Sequence, residues 1–190
     1  MLTEHPLIRH IEEVVQLSSL ERKLVLDAFH PRTLKKREIL LFQGDTSTHM
    51  RFIAEGCLRS YYLDDDAKEH ILQFGIEGWW VNDLYSYLTQ TPARYFIQAI
   101  EASKVLQVHR DTLEDLFHQV PAMERFFRIK IQSAYVALQE RTTKSMSESA
   151  EQRYFEFREK YRAIEQRVPQ YMIASYLGIT PEHLSTIRQK

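Results

Sequence analysis

Apolar positions change their period twice along the chain, and those changes divide it into three parts. Over the first thirty residues Leu7, Ile8, Ile11, Val14 and Val15, then Leu20, Leu24 and Leu26, recur at the spacing of a buried helix face. Ser18 and Ser19 interrupt the run where a second helix can be capped. From Arg32 the pattern shortens into runs rich in β-formers: Ile39–Phe42, Met50–Ala54, Leu58–Leu63, His70–Phe74, Tyr95–Ile100 and Lys104–Val108. Turn signals separate them at Gln43-Gly44-Asp45, Glu55-Gly56, Asp64-Asp65-Asp66 and Glu77-Gly78. Short, closely spaced strands predict a small antiparallel barrel or sandwich rather than βαβ units.

After His109 the period becomes helical and stays so. Asp111 is placed to cap a short helix holding Leu113, Leu116 and Phe117. Pro121 fits the first turn of a longer helix to about Arg141, where its missing donor is unpaired anyway. Phe127, Ile131, Ala134 and Leu138 alternate spacings of four and three, which suits a seam between two helices or a face packed on the barrel. Lys144–Ser149 is small and polar, a hinge composition. Ser149 with Gln152, or Ser145 with Glu148, offers a capping box for a further helix carrying Tyr154, Phe155 and Tyr161.

The last twenty residues carry the most specific pattern. A helix-turn-helix needs a small residue where its two helices pack closely, a glycine to turn the chain, and apolar residues to bury both. Ala174, Gly178 and the set Ile173, Leu177, Ile179, Leu184 and Ile187 meet those needs. Thr180-Pro181 then starts a helix with an N-cap and a first-turn proline, followed by Glu182 where the helix dipole favours it. Thr180, Glu182, His183, Ser185, Thr186, Arg188, Gln189 and Lys190 remain for phosphate or base-edge contacts. An ordinary helical hairpin is the plainer alternative.

Composition narrows the classes. With 44% hydrophobic and 27% charged residues and a net charge of −1, the chain reads as globular and not as a basic nucleic-acid coat. Residues 144–190 hold eight Lys/Arg against six Glu, a weak local excess for a charge-driven contact with DNA. The lone Cys57 excludes an internal disulfide framework and a four-thiolate metal site. No apolar run approaches the ~18 residues that span a bilayer, and Met1–His10 lacks a signal pattern, so a cytoplasmic protein with no membrane partner is expected.

Eight scattered histidines with no i, i+4 pair give no metal site and no reason for a cofactor. Asp64-Asp65-Asp66 reads as a solvated turn, and Lys35-Lys36-Arg37 as an exposed strand or edge. The aromatics Trp79, Trp80, Tyr85, Tyr87, Tyr95 and Phe96 suit either a ligand pocket or the filling of the barrel. No nucleophile–base motif, P-loop or dinucleotide fingerprint is present, and an enzyme is not expected.

Barrel, long helix and helix-turn-helix, in this order, resemble the Crp/Fnr family of transcription regulators. The carrying stretches are Ile39–Asp45, Phe52–Arg59 and, most specifically, Ile173–Ser185. The resemblance implies an α+β architecture: a cyclic-nucleotide-binding-like β jelly-roll sensor over residues 1–110, connecting and dimerisation helices over 111–143, and a helix-turn-helix domain over 144–190. It also implies a homodimer on double-stranded DNA, paired through Phe127, Ile131, Ala134 and Leu138, and a small-molecule effector held near Asn82, Asp83, Arg94 and Tyr95.

The chain departs from that family in three places. Its phosphate cassette has Asn82-Asp83 for Gly-Glu and Ala93 at the arginine position; Arg94 would serve only after a slip that turns it to the other face of a strand. Cyclic AMP is therefore not the favoured effector. Pro181 and Thr186 stand where the cyclic-AMP receptor protein, which this segment resembles, has arginines beside its DNA-reading glutamate, here Glu182. The sequence leaves no residues after Lys190 for a full wing. The family's iron–sulfur oxygen sensing needs a cysteine cluster that is missing here. A ligand-sensing or protein-interaction module that has lost DNA binding is the alternative reading, and an enzyme on a cupin-like barrel a more distant one.

Overall fold

A computed structural model describes residues 4–189. Pro6 starts α1 (Pro6–Glu12), and a capping box between Ser18 and Glu21 starts α2 (Ser19–Ala28). Seven strands follow: β1 (His30–Leu34), β2 (Ile39–Leu41), β3 (His49–Glu55), β4 (Leu58–Leu63), β5 (Glu69–Gly75), β6 (Phe96–Ala99) and β7 (Ser103–His109), with α3 (Leu84–Thr89) between β5 and β6. They form two antiparallel sheets ordered β1-β7-β3 and β2-β6-β4-β5, the crossed neighbour order of a jelly roll.

Leu34, Leu41, Ile53, Leu58, Ile97 and Val105 fill the space between the sheets. The opposite face of the three-stranded sheet, with Met50, Phe52, Leu106 and Val108, packs on α1, α2, α4 (Arg110–Gln119) and the start of α5 (Pro121–Ser147). Gly56, at φ +99°, makes the β3–β4 turn. A Cβ there would lie 2.7 Å from the Cα of Ser103, so only glycine lets the turn pass β7.

The six expected runs are β2 to β7, with no end moved by more than one residue. Three local expectations are corrected. Lys35-Lys36-Arg37 is not a strand but the turn from β1 to β2, with Arg37 at φ 68°. His109, not Asp111, caps α4: its Nδ1 accepts the Asp111 N–H at 3.3 Å. α5 runs on through the expected boundary at 143, and the break in the helix lies at Glu148–Ser149, where Ser149 and Gln152 close a capping box for α6 (Ala150–Lys160).

α6, α7 (Arg162–Glu165), α8 (Gln170–Leu177) and α9 (Pro181–Arg188) gather around Tyr154, Phe157, Ile164, Ile173 and Leu184. That cluster is continuous with Cys57, Tyr61, Ile71 and Phe74 of the barrel. Polar contacts fix the join. The Ser175 hydroxyl accepts the Ile71 N–H at 3.0 Å and donates to the Glu69 carbonyl at 3.1 Å, which ties α8 to the free edge of β5. Arg141 donates to the carbonyls of Leu72 and Tyr176, and Arg167 pairs with Glu77 and Glu101.

Candidate nucleic-acid interface and ligand pocket

The α8–turn–α9 unit is built as its spacing predicts. Ile173 and Ala174 are fully buried, and Gly178 ends α8 in the left-handed region at φ 70°. The Ile179 N–H then donates to the Ala174 carbonyl at 3.0 Å. Thr180 heads α9 by accepting the His183 N–H at 3.2 Å, and Leu184 and Ile187 turn inward. Thr180, Glu182, His183, Ser185, Thr186, Arg188 and Gln189 are all exposed, while Lys190 lies outside the described residues. Two of these side chains already have partners in the chain, since the Thr180 hydroxyl caps α9 and the Thr186 hydroxyl donates to the Glu182 carbonyl at 3.1 Å. The Glu182 carboxyl is held below its ordinary range by backbone N–H donation at the helix start and by Thr180, so it meets any partner as an anion.

The four pocket candidates separate into two pairs. Asn82 accepts the Arg51 N–H at 2.7 Å and so holds the loop to β3. Asp83 is 1% exposed and caps α3 by accepting the Ser86 N–H at 2.9 Å. Neither lines the cavity beside them. Arg94 and Tyr95 do, together with Gln43, Gly44, Tyr62, Leu63, Leu72, Pro92 and Ala93, around an open volume of about 610 Å³. The Arg94 guanidinium is exposed and lies 5.1 Å above the Tyr85 ring, whereas Ala93 is buried. The Tyr95 hydroxyl donates to the Asn82 carbonyl at 3.3 Å; burial and the neighbouring Asp83 push its phenol up. Tyr62, Leu63 and Leu72 carry no sequence signal beyond strand alternation, and sequence reasoning missed them.

The aromatic group divides likewise. Trp80 packs on Phe52, Phe126 and Phe127, Tyr87 is buried in the same cluster, and Trp79 meets Tyr161 of the C-terminal helices. Along α5, Phe127 lies within its own subunit, 4.9 Å from Trp80 and 5% exposed, so the exposed stripe begins at Ile131 and not at Phe127. Ile131, Ala134 and Leu138 are exposed, and so is Tyr135, which the four–three spacing had passed over. Among the described residues no group of three or more His, Cys, Asp or Glu is arranged to hold a metal ion, and no helix is long and apolar enough to cross a membrane.

Residues 31–120 match the cyclic nucleotide-binding domain family. The chain is 25% identical to the anaerobic regulatory protein of Haemophilus influenzae, over 96% of this chain and 72% of that one. It is 32% identical to the fumarate and nitrate reduction regulatory protein of Yersinia pestis, over half of this chain and 37% of that protein. In fold it is similar to the c-di-GMP responsive global regulator of Xanthomonas campestris, with a TM-score of 0.70, 12% identity and 90% of each chain covered. With its jelly roll, its long helix and its C-terminal helix-turn-helix in this order, the chain is similar to these regulatory proteins along most of its length.

Proposed function

We propose that this protein binds double-stranded DNA as a homodimer in the cytoplasm and regulates transcription in response to a small-molecule effector. The observation that carries this reading is α9. Leu184 and Ile187 clamp it from within, and its predicted contact residues, as far as they are described, all face solvent. A helix held so, with donors and acceptors along one face, suits the major groove. The apolar stripe Ile131, Ala134, Tyr135 and Leu138 is exposed on one chain and would be buried by a second α5 across a two-fold axis. Pairing there would present two α9 helices at once and offset the weak basicity of each.

The effector would enter the cavity beside Arg94 and Tyr95. Its floor includes Leu72, whose carbonyl receives Arg141 from α5 and whose strand receives Ser175 from α8, so a ligand there would bear on both helices. Cyclic AMP is not the favoured effector, because in the cassette beside this cavity the α3 amide already has the Asp83 carboxylate as acceptor, Ala93 offers no cation and Arg94 lies over Tyr85.

The test is a mobility-shift screen of genomic fragments at low salt. Protein-dependent retention is expected, and Arg188→Ala should weaken it across sequences. No retention of any fragment would overturn the reading. The alternative, a sensor or interaction module that has lost DNA binding, is favoured by the modest charge excess and by the Thr186 hydroxyl being turned to its own helix. A large gain in DNA affinity from Thr186→Arg, over a native chain without measurable binding, would support that alternative.

A further inference from the structure

In the three-stranded sheet, directly paired residues share a face. On the inward face, Leu34, Ile53 and Val105 form part of the apolar barrel core. Toward the other end the same face becomes basic. Val105 pairs with Arg32, Gln107 with His30 on one side and Arg51 on the other, and His109 with His49. The His49 and His109 rings meet edge to face at 5.1 Å. Arg32 and His109 are half-exposed and His30 is exposed, whereas Arg51 is 4% exposed. The cluster thus runs from a solvated rim to a buried guanidinium.

Among the described residues that guanidinium has no counterion. Arg51 Nη1 donates to the Ser47 hydroxyl at 3.3 Å and the His49 carbonyl at 3.1 Å, but its Nε is buried and finds no acceptor among the described residues. Two carboxylates touch the rim: Asp111 at 3.5 Å from His109, and Glu38 at 3.9 Å from Arg32. Among the described residues none reaches ion-pair distance of His30, His49 or Arg51. Burial and the neighbouring cations together disfavour the charged forms. Burial and then Arg51, His109, Arg32 and His30 hold His49 down to about 4, and burial and Arg32 bring Arg51 down to about 10. A buried cation surrounded by others is costly unless an anion is shared among them.

We infer that this basic end of the barrel binds a small oxyanion, a phosphate or carboxylate group, between Arg51, Arg32 and the imidazoles of His49 and His109. A guanidinium fork matches two oxygens of such a group, and neutral imidazoles add N–H donors. The site is separate from the cavity beside Arg94 but not remote from the cassette. Asn82 accepts the Arg51 N–H, the Val81 N–H donates to the Arg51 carbonyl at 3.0 Å, and the Ser47 N–H donates to the Ser86 hydroxyl of α3 at 2.9 Å. An anion seated on Arg51 would therefore be felt at α3.

Binding an anion favours protonated His49, so an anion seated there would raise the pKa of that imidazole. The charged and titratable groups that face His49 or the rim beside it are His30 and Arg32 from β1, Arg51 from β3, His109 from β7, and Arg110 and Asp111 from α4.

The experiment is titration calorimetry of the full chain in low-chloride buffer with inorganic phosphate and, separately, succinate. Saturable binding near one ion per chain is expected. Arg32→Gln and Arg51→Gln should each weaken it about tenfold or more, and Lys160→Gln, on a distant surface, should leave it unchanged. Binding by either probe supports the site, and the tighter of the two names the oxyanion. If Arg51→Gln does not fold, the half-exposed Arg32→Gln decides. No saturable heat with either probe, or equal affinity in Arg32→Gln, overturns the proposal.

Discussion

α9 and α3 are each headed by a side chain that accepts the N–H three residues on, Thr180 from His183 at 3.2 Å and Asp83 from Ser86 at 2.9 Å. Around Thr180 the polar neighbours face solvent. Around Asp83 they bond inward, with Ser86 accepting the Ser47 N–H and Asn82 the Arg51 N–H. α9 has apolar residues to hold it and can spare its polar ones for a partner. α3 spends its polar residues on holding the barrel. What distinguishes a reading surface from a structural turn is thus which residues supply the anchorage, and not the capping pattern that both share.

The largest effect should come from removing that apolar anchorage. Leu184 is 1% exposed, and Leu184→Ala should cost about 2–5 kcal/mol in urea unfolding, from lost transfer energy and the space left behind. Because the cluster around Leu184 is continuous with Tyr61, Ile71 and Phe74, the loss should appear in one transition shared with the barrel. A cost below about 1 kcal/mol would mean that α9 is held by something other than its buried face, and the contrast with α3 would fail.

A smaller effect is expected from the ion pairs that join the two regions. Arg167 donates to both Glu77 oxygens, at 2.8 and 2.9 Å, and pairs with Glu101. These side chains are a quarter to nearly half exposed, so after solvent screening Arg167→Met should cost about 1 kcal/mol. The pH dependence is more diagnostic. Arg167 holds the Glu77 carboxyl down to about 2, below its ordinary 4.5. A lowered carboxylate stabilises the fold fully above its unfolded value and loses that contribution as the pH falls through the folded one. The stability gap between the native chain and Arg167→Met should therefore close between about pH 4.5 and 2. A gap that stays constant over that range would show that Glu77 is not part of the join.

Much of this arrangement was legible in the sequence, for reasons that also explain what was not. Most of the strands β2 to β7 and the α8–α9 unit announce themselves because turn residues such as Gly44, Gly56, Asp64–Asp66, Gly78 and Gly178 separate the apolar runs. α3 gives no signal of its own, because Leu84-Tyr85-Ser86-Tyr87-Leu88 is short and rich in aromatics and its cap, Asp83, falls in the stretch that matches the cassette. Phe127 satisfies the seam spacing and yet is buried beside Trp80, since a helix that leaves the barrel partway along its length packs one end of its apolar stripe on the barrel and leaves the rest exposed. The ion pairs of Arg167 and the hydroxyl contacts of Ser175 join residues 66 to 106 positions apart, a separation that no local pattern encodes.

The smallest expected effect is none at all, from cyclic AMP. A ligand present at a hundred times its Kd stabilises the state that binds it by about 2.7 kcal/mol, enough to move a domain of this size by several degrees. Here the α3 amide that would face a cyclic phosphate already has a carboxylate acceptor in Asp83, Ala93 is buried where a cation is needed, and Arg94 lies outward over Tyr85. An incoming phosphate would have to displace one anion and would meet no fixed cation. Thermal unfolding with and without millimolar cyclic AMP should superimpose. An upward shift of several degrees would show that the cassette reorganises around the ligand, freeing Asp83 from Ser86 and turning Arg94 inward, and the contrast between α3 and α9 would fail.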